Sequence, residues 1–365
     1  MKSLLLSISL ILTTALSAQN INENYEKWTV KDEVINITGI DLSPDGKEVA
    51  LVGGKMNAIY IYDYNQRKIL REIPIARDYS GYNIQYSAKG NYLTLQERVV
   101  ETSAKKSRKA DFAIVDLNQE KVIHEFNKIS DVKITPDEKQ VITLENKKVT
   151  IRDLSSGNVL TDFKAEDATN ALAVSPDGQQ LAIVKKPSKK EVAMLVSRKM
   201  KKKAIKEAAK TKFLIAIYNK GTQELESIVP EFYDNISLLF YMQNGEKLLS
   251  FNLAQNPYVN VALPKEDYRP SREGYVGRST TQPDFKYSED GKYFGIATIE
   301  MHPTVNIYKV ETNAIVDSYN TKMRIWKNAK NKIYAGTNTS FVFLPDNNYV
   351  LIAYGNSLIK WRINK

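Results

Sequence analysis

A short hairpin motif recurs along the chain and constrains the fold more than any other feature. Its most regular copy is Leu172–Val184, in which two alternating apolar segments flank a Ser-Pro-Asp-Gly turn. Proline pre-sets φ at the first corner of such a turn, and glycine enters the left-handed region without steric cost. Seven copies follow the pattern, with hairpins near 40–52, 84–95, 132–144, 172–184, 238–251, 285–297 and 341–353. The chain is therefore built from repeated antiparallel units.

Most hairpins are followed by a third apolar strand that ends at a polar corner, and then by a weaker fourth strand. Val149–Asp153 and Asn158–Phe163 give the clearest example. Four short strands in a unit of about 40–50 residues are typical of the blades of a β-propeller. We therefore predict an all-β fold, a seven-bladed β-propeller of four-stranded antiparallel blades, formed as a single domain by residues 19–365.

The segment Val149–Leu160 resembles the third strand and following turn of a WD40 repeat. The Ser-Pro-Asp-Gly hairpins are similar to those of WD40 and of related bacterial propeller repeats, and the resemblance extends over roughly residues 25–365. It implies a propeller fold and specifies no subfamily. No copy contains the family's Trp-Asp pair; the last repeat has Trp361 at this place, but Arg362 follows it. No Gly-His pair opens a repeat.

The two ends of the chain complement each other. The last repeat stops at Lys365 without a fourth strand, whereas Tyr25–Lys31 has the pattern of a strand without a hairpin of its own. We predict that this N-terminal strand completes the last blade and closes the ring, which removes edges that would otherwise invite aggregation.

The N-terminus has the features of a secretory signal peptide at residues 1–18. Lys2 precedes an apolar run, Leu4 to Leu16, and the small residues Ser17 and Ala18 follow it. The run is shorter than the roughly twenty residues that span a bilayer. The chain has no cysteine, which excludes disulfides and a lipid-modified cysteine. We predict an exported protein, periplasmic or extracellular, without a lipid anchor or a transmembrane segment.

The basic charge of the chain is concentrated where the fourth repeat is interrupted. Residues 185–212 contain twelve Lys or Arg against Glu191 and Glu207, a balance of +10 that equals the formal net charge of the whole chain. Ser188 and Glu191 have the spacing of a capping box. Apolar residues then recur every fourth position and predict one basic helix of about five turns; they are Val192, Val196, Met200, Ala204 and Ala208.

A second basic insertion, residues 97–110, interrupts the second repeat at the equivalent place, and an irregular segment, residues 264–283, precedes the sixth hairpin. Equivalent loops of different blades emerge on the same face, so we predict one basic rim with Tyr and Arg as interface anchors. The candidate partner-binding residues are Arg98, Lys105, Lys106, Arg108, Lys109, Lys189, Lys190, Arg198, Lys199, Lys201, Lys202, Lys203, Lys206, Tyr268, Arg269, Arg272 and Tyr275.

Residues suited to catalysis or to metal binding are scarce. The two histidines, His124 and His302, lie in contexts without nucleophile-elbow spacing, and no cluster of zinc ligands occurs. We predict no catalytic residue, metal or cofactor, and the export signal makes nucleic acid an unsuitable partner. The predicted function is a non-enzymatic scaffold in the cell envelope that binds an acidic protein through the basic rim.

Three other interpretations stay open at this point. The same lysines could bind an anionic envelope polymer or a lipid surface as point charges. The central channel of a propeller could gather carboxylates from several blades into a hydrolase- or lactonase-type active site. The lysine-rich insertion could also be a solvated loop that has no partner.

Overall fold

The computed structural model describes residues 24–32, 35–99, 109–195, 201–233, 236–242, 245, 247–252, 258–262, 271–273, 284–298, 304–312, 314–320 and 339–364. Within these residues the chain forms 28 strands and two helices. The strands build seven four-stranded antiparallel sheets, so the predicted all-β class is confirmed. The predicted signal peptide, residues 1–18, lies outside the described residues.

After the first strand, β1 (Tyr25–Thr29), the chain builds six sheets, each from four consecutive strands. The first sheet contains β2 (Asn36–Leu42), β3 (Val49–Gly54), β4 (Ala58–Asp63) and β5 (Lys68–Pro74). The second contains β6 (Tyr82–Tyr86), β7 (Tyr92–Glu97), β8 (Ala110–Asp116) and β9 (Lys121–Ile129). The third contains β10 (Asp131–Ile134), β11 (Gln140–Glu145), β12 (Lys148–Asp153) and β13 (Val159–Lys164).

The fourth sheet contains β14 (Ala168–Val174), β15 (Gln180–Lys185), β16 (Phe213–Asn219) and β17 (Leu225–Tyr233), and both helices lie between β15 and β16, as α1 (Lys189–Leu195) and α2 (Lys202–Thr211). The fifth contains β18 (Ile236–Met242), β19 (Lys247–Asn252), β20 (Tyr258–Ala262) and β21 (Ser271–Glu273). The sixth contains β22 (Asp284–Tyr287), β23 (Tyr293–Thr298), β24 (Thr304–Lys309) and β25 (Ile315–Asn320).

The seventh sheet combines both ends of the chain. It contains β26 (Ser340–Phe343), β27 (Tyr349–Tyr354) and β28 (Ser357–Arg362), and its fourth strand is β1. The register pairs Tyr25 with Trp361 and Trp28 with Leu358, and the Trp28 indole also donates to the Tyr62 hydroxyl of the first sheet at 3.0 Å. The N-terminal strand therefore occupies the place that the sequence analysis assigned to it.

Among the described residues the apolar core consists of seven clusters, and each lies between two sheets. Side chains of the first and second sheets share one cluster, and the same holds for every following pair up to the sixth and seventh. The remaining cluster joins the seventh sheet to the first, where Leu351 and Leu358 pack with Ile40, Leu51 and Tyr60. Each sheet is therefore packed on two neighbours, and the core stabilises the arrangement through contacts between sheets.

Polar side chains on the first strands tie neighbouring sheets together. A carboxylate oxygen of Asp41 accepts the Tyr86 amide at 2.7 Å, and Asp131 accepts the Leu172 amide at 2.9 Å. Asp284 accepts the Phe341 amide at 3.2 Å in the same way. These buried amides are satisfied by the preceding sheet in place of water.

The hairpin turns have the predicted left-handed residue in all seven copies. Gly46, for example, has φ +71°, and even Glu138, which departs from the Gly or Asn pattern, has φ +58°. We call the edge that holds these turns the turn face, and the opposite edge, where second and third strands are joined, the loop face. The turns also interlock, because a Cβ on Gly46 would lie 2.5 Å from a ring carbon of Pro345 in the preceding turn.

The exception at Glu138 has a physical explanation in the turn before it. Every turn with proline is followed by a turn with glycine, but Ala88 replaces proline in the second turn. The carboxylate of Glu138 instead accepts the Lys89 backbone N–H and the Asn91 side-chain amide, each at 2.7 Å. These bonds link the second and third turns where the Pro–Gly contact is missing.

Candidate functional site

The lysine-rich insertion of the fourth sheet begins with a fixed helix. The predicted capping box is confirmed, since Ser188 Oγ accepts the Glu191 amide at 3.1 Å and Glu191 Oε2 accepts the Ser188 amide at 2.7 Å. The other oxygen of Glu191 pairs with Lys185 Nζ at 2.7 Å. Lys185 and Val192 are both buried. The start of α1 is therefore anchored to the end of β15.

The prediction of one continuous five-turn helix is wrong. Lys201 has an extended backbone, with φ −64° and ψ 142°, and α2 begins after it. α1 and α2 contact each other, and the half-buried face of α2 contains Ala204, Ile205, Ala208 and Ala209. The contact between the two helices half-buries this apolar face, whereas a single projecting helix would have left it in water.

Seven lysines of the hairpin are exposed, and Lys210 lies apart from the others at the end of α2. We call the other six the lysine surface: Lys189, Lys190, Lys201, Lys202, Lys203 and Lys206. None of the six forms an ion pair with another residue that the structure describes. α2 has no acidic residue in its first turn and no side-chain cap, so three lysines stand beside the positive end of the helix dipole. An anionic partner would offset this repulsion. Arg198 and Lys199 lie outside the described residues.

The described ends of the second basic insertion, residues 97–99 and 109–110, lie on the same face. Lys109 Nζ donates to Asn146 Oδ1 of the third sheet at 3.1 Å, and the adjacent Lys147 pairs with Asp167 at 2.6 Å. The Asp167 carbonyl in turn accepts the Lys186 amide at 2.8 Å, at the start of the lysine-rich insertion. The loop face is thus continuous from the second sheet to the fourth. Lys105, Lys106 and Arg108 lie outside the described residues.

Arg98 is buried near the line around which the first strands of the sheets are arranged, which we call the axis. It does not belong to an exposed rim, which corrects the sequence-based assignment. Its Nη2 donates to the Thr38 carbonyl at 2.8 Å, its Nη1 donates to the Thr339 carbonyl at 3.2 Å, and its Nε donates to Asn83 Oδ1. Arg98 therefore joins the first, second and seventh sheets. Burial lowers its pKa to about 10, although the nearby Asp284 opposes the shift.

The predicted Tyr and Arg anchors of residues 264–283 are described only in part. Tyr268, Arg269 and Tyr275 lie outside the described residues. Arg272 lies in β21, whose residues pair with β20, and this segment is the fourth strand of the fifth sheet. The prediction of an irregular segment is therefore wrong for residues 271–273, which form the outer strand of the fifth sheet.

A cavity of about 420 Å³ lies between the first strands of the sheets. At the turn face the cavity is lined by Ala88, Pro136 and Pro176. At its other end it is lined by Asn83, which accepts a hydrogen bond from Arg98, and by Gln96. One repeat position, two residues before each turn, supplies most of the axial side chains, namely Asp41, Gln85, Lys133, Ala173, Phe240 and Lys286.

An ion pair that is largely but not fully buried crosses this cavity. Lys286 Nζ of the sixth sheet lies 2.7 Å from Asp41 Oδ1 of the first sheet and 3.4 Å from the carbonyl oxygen of Ile84 in the second. Burial disfavours the ammonium form, but the attraction of Asp41 and Asp284 outweighs it and raises the pKa of Lys286. Lys286 therefore stays charged and ties three sheets across the axis.

Asp41 and Lys286 are not among the residues predicted from the sequence, although a signal for them is present. In a strand with alternating sides, the axial repeat position is preceded by a core residue in each copy. Charged side chains there, as in Phe285-Lys286 and Ile40-Asp41, indicate a position that faces the channel. Asp41 and Lys286 occupy the same position in two repeats and have opposite charges, so aligning the repeats could have predicted that they form an ion pair.

Groups for acid–base or metal chemistry are sparse in the described part of the chain. There, no three His, Cys, Asp or Glu side chains are grouped so that they could hold a metal ion. His124 Nε2 lies 2.6 Å from the Leu154 carbonyl oxygen, a contact between the second and third sheets. No described helix is long and apolar enough to cross a bilayer.

Comparisons with known proteins extend the description of the fold. No family model and no curated protein sequence matches the chain. Among solved structures, hydrazine synthase of Kuenenia stuttgartiensis aligns with a TM-score of 0.60 at 14% sequence identity, over 91% of this chain and 97% of that chain. At this identity the likeness shows the fold alone, and together with the seven sheets it describes a β-propeller-like architecture.

Proposed function

We propose that the protein is an exported, non-enzymatic, seven-bladed β-propeller that acts as a protein–protein interaction scaffold in the cell envelope. The lysine surface is its binding site for an acidic partner. The observation that carries the proposal is the presence of six exposed lysines, without ion pairs to described residues, on two helices and at the start of the second. Such a surface speeds encounter with an acidic protein and weakens as salt rises.

The closed ring is part of the same proposal. The seven core clusters and seven sheets among the described residues support closure, because an open row of seven sheets would have six interfaces. The pairing of β1 with β28 would then fasten the ring through both ends of the chain. A closed ring is a rigid support, and a rigid support keeps the spacing of a surface-binding site fixed.

An acidic protein suits the surface better than a flexible anionic polymer or a lipid headgroup layer. The Lys185–Glu191 pair, the capping box and the burial of Val192 fix α1 on the fourth sheet. Lys186 Nζ also donates to the Lys210 carbonyl at 3.0 Å, which ties the end of α2 to the start of the insertion. A fixed arrangement of charges can select one partner surface, and a polymer would not need it.

The test is to replace the six lysines of the lysine surface by glutamine and to recover partners from the native envelope at low and high salt. A matched control replaces six exposed lysines elsewhere, namely Lys47, Lys68, Lys121, Lys139, Lys164 and Lys309. We expect an acidic protein to be lost with the first variant and at high salt, and to be kept with the control. Retention by the first variant would refute the proposal.

A second variant separates a protein partner from a polymer or a lipid surface. It replaces Lys189, Lys190 and Lys206 by glutamine and introduces lysine at the exposed positions Ala193, Met194 and Glu207. A protein partner should be lost, because the charges no longer meet its surface. Unchanged binding would favour the anionic polymer or lipid surface, since point charges suffice there.

A further inference from the structure

We infer that the axial cavity binds a neutral, polyhydroxylated ligand of the size of a mono- or disaccharide. This site is independent of the lysine surface, because the cavity reaches the turn face and the lysine surface belongs to the loop face. Its volume of about 420 Å³ falls in the range of small-molecule sites, roughly 300–1,000 Å³.

One side of the cavity offers an aromatic platform. Phe240 of the fifth sheet and Tyr287 of the sixth have ring centroids 6.0 Å apart, and Phe240 stacks on Phe285 at 5.4 Å. Tyr287 is 40% exposed, which is high for a large ring near the axis of the molecule. An exposed ring that packs against Phe240, which is itself stacked on Phe285, is suited to stack on the apolar face of a sugar.

The opposite side of the cavity is polar. The second sheet contributes Asn83, Gln85, Thr94 and Gln96 to the lining. Gln85 is exposed, and Gln96 Nε2 is buried without a hydrogen-bond partner among the described residues. Amide and hydroxyl groups both donate and accept, so this wall matches a ligand that carries many hydroxyl groups.

The charges of the lining balance within the protein itself, which favours a neutral ligand. Lys286 pairs with Asp41 at 2.7 Å, and Lys133 pairs with Asp131 at 2.8 Å. Asp284 accepts the Ser340 hydroxyl at 2.6 Å in addition to the Phe341 amide. A charged ligand would have to displace one of these bonds, whereas a neutral one can add hydrogen bonds to the same groups.

The experiment titrates the full mature chain with cellobiose, maltose, lactose and N,N′-diacetylchitobiose at millimolar concentrations. Binding is followed by calorimetry and by ligand-observed NMR, with glucuronate and glucosamine as charged probes. We expect one or more of the neutral disaccharides to bind more tightly than either charged probe. Absence of binding by all four, or binding of a charged probe alone, would overturn the inference.

Two variants locate the binding to the cavity. Tyr287→Ala removes the exposed ring and should weaken binding roughly tenfold, and Gln85→Ala should weaken it by a smaller factor. Tyr25→Ala is the matched control, because Tyr25 is 38% exposed on the outermost strand of the seventh sheet. Binding that is unaffected by both cavity variants would refute the site, and Gln85→Ala decides alone if Tyr287→Ala does not fold. The six-lysine variant should bind the sugar normally.

Discussion

The buried cations at the axis and the exposed lysines of the helical hairpin have the same charge and opposite consequences. Arg98 is buried and Lys286 is largely buried, and each is held by acceptors on other sheets. The lysine surface is exposed and has no ion pair within the described residues. The comparison teaches that the role of a cation follows from the acceptors that the fold brings to it. A buried charge must be paired to be tolerated, and an exposed one is free to meet a partner.

The largest effect is expected from Arg98→Met. The variant leaves the Thr38 and Thr339 carbonyls without their donor and removes a link between three sheets. The free energy of unfolding should fall by about 3–5 kcal/mol, because each buried acceptor that loses its donor costs about 1–3 kcal/mol. Urea denaturation measures it, and Arg98→Lys is the control that keeps the charge. A loss below about 1 kcal/mol for Arg98→Met would contradict the structural role that distinguishes Arg98 from the exposed lysines.

The next effect concerns the axial ion pair. Lys286→Met leaves the largely buried Asp41 carboxylate without its cation, so we expect a loss of about 3 kcal/mol. The double variant Asp41→Asn, Lys286→Met should lose less than the sum of the two single variants, because neither residue then leaves a bare charge. A double-mutant cycle by urea denaturation checks this coupling. Additive losses would mean that the two side chains do not form the pair.

A smaller, local effect is expected at Lys185, which belongs to the lysine-rich insertion by sequence and to the buried cations by structure. Glu191→Gln weakens its only described ion pair and should cost about 1–3 kcal/mol. Hydrogen exchange of α1 should register the loss more strongly than exchange of the sheets. Equal changes in α1 and in the distant sheets would show that the pair is not a local anchor.

The effect of Glu191→Gln on the free energy of unfolding should depend on pH. Burial disfavours the ionised form of Glu191, but the hydrogen bonds from Lys185 and Ser188 outweigh it and lower the pKa below 4.5. Because the folded pKa lies below the unfolded one, this stabilisation is complete above about pH 4.5 and is lost as pH falls through the folded pKa. The stability difference between wild type and Glu191→Gln should therefore shrink in acid. A difference that grows in acid would contradict the assignment.

The smallest effect on stability is expected from the lysine surface itself. Replacing its six lysines by glutamine should change the free energy of unfolding by no more than about 0.5 kcal/mol per site, and the reduced repulsion at the start of α2 should make the change slightly favourable. Thermal unfolding measures this. Strong destabilisation of the variant would mean that these lysines stabilise the fold, as the buried cations do, and would contradict their assignment to an exposed binding surface.

The sequence was sufficient to predict the sheets but not the axis. Turn chemistry and alternation are local, so the hairpins, the all-β class and the strand at Tyr25 could be inferred from neighbouring residues. Arg98 could not, because its acceptors Thr38 and Thr339 lie 60 and 241 residues away. The helical insertion was predicted in part: its cap is local, whereas the break at Lys201 depends on packing between α1 and α2.

The most direct test of the central claim is recovery of envelope proteins by three chains at two salt concentrations. The chains are the wild type, the six-lysine variant of the lysine surface and the variant with six matched control lysines. We predict that the wild type and the control recover the same acidic protein at low salt, and that the six-lysine variant does not. Equal recovery by all three chains would contradict the account.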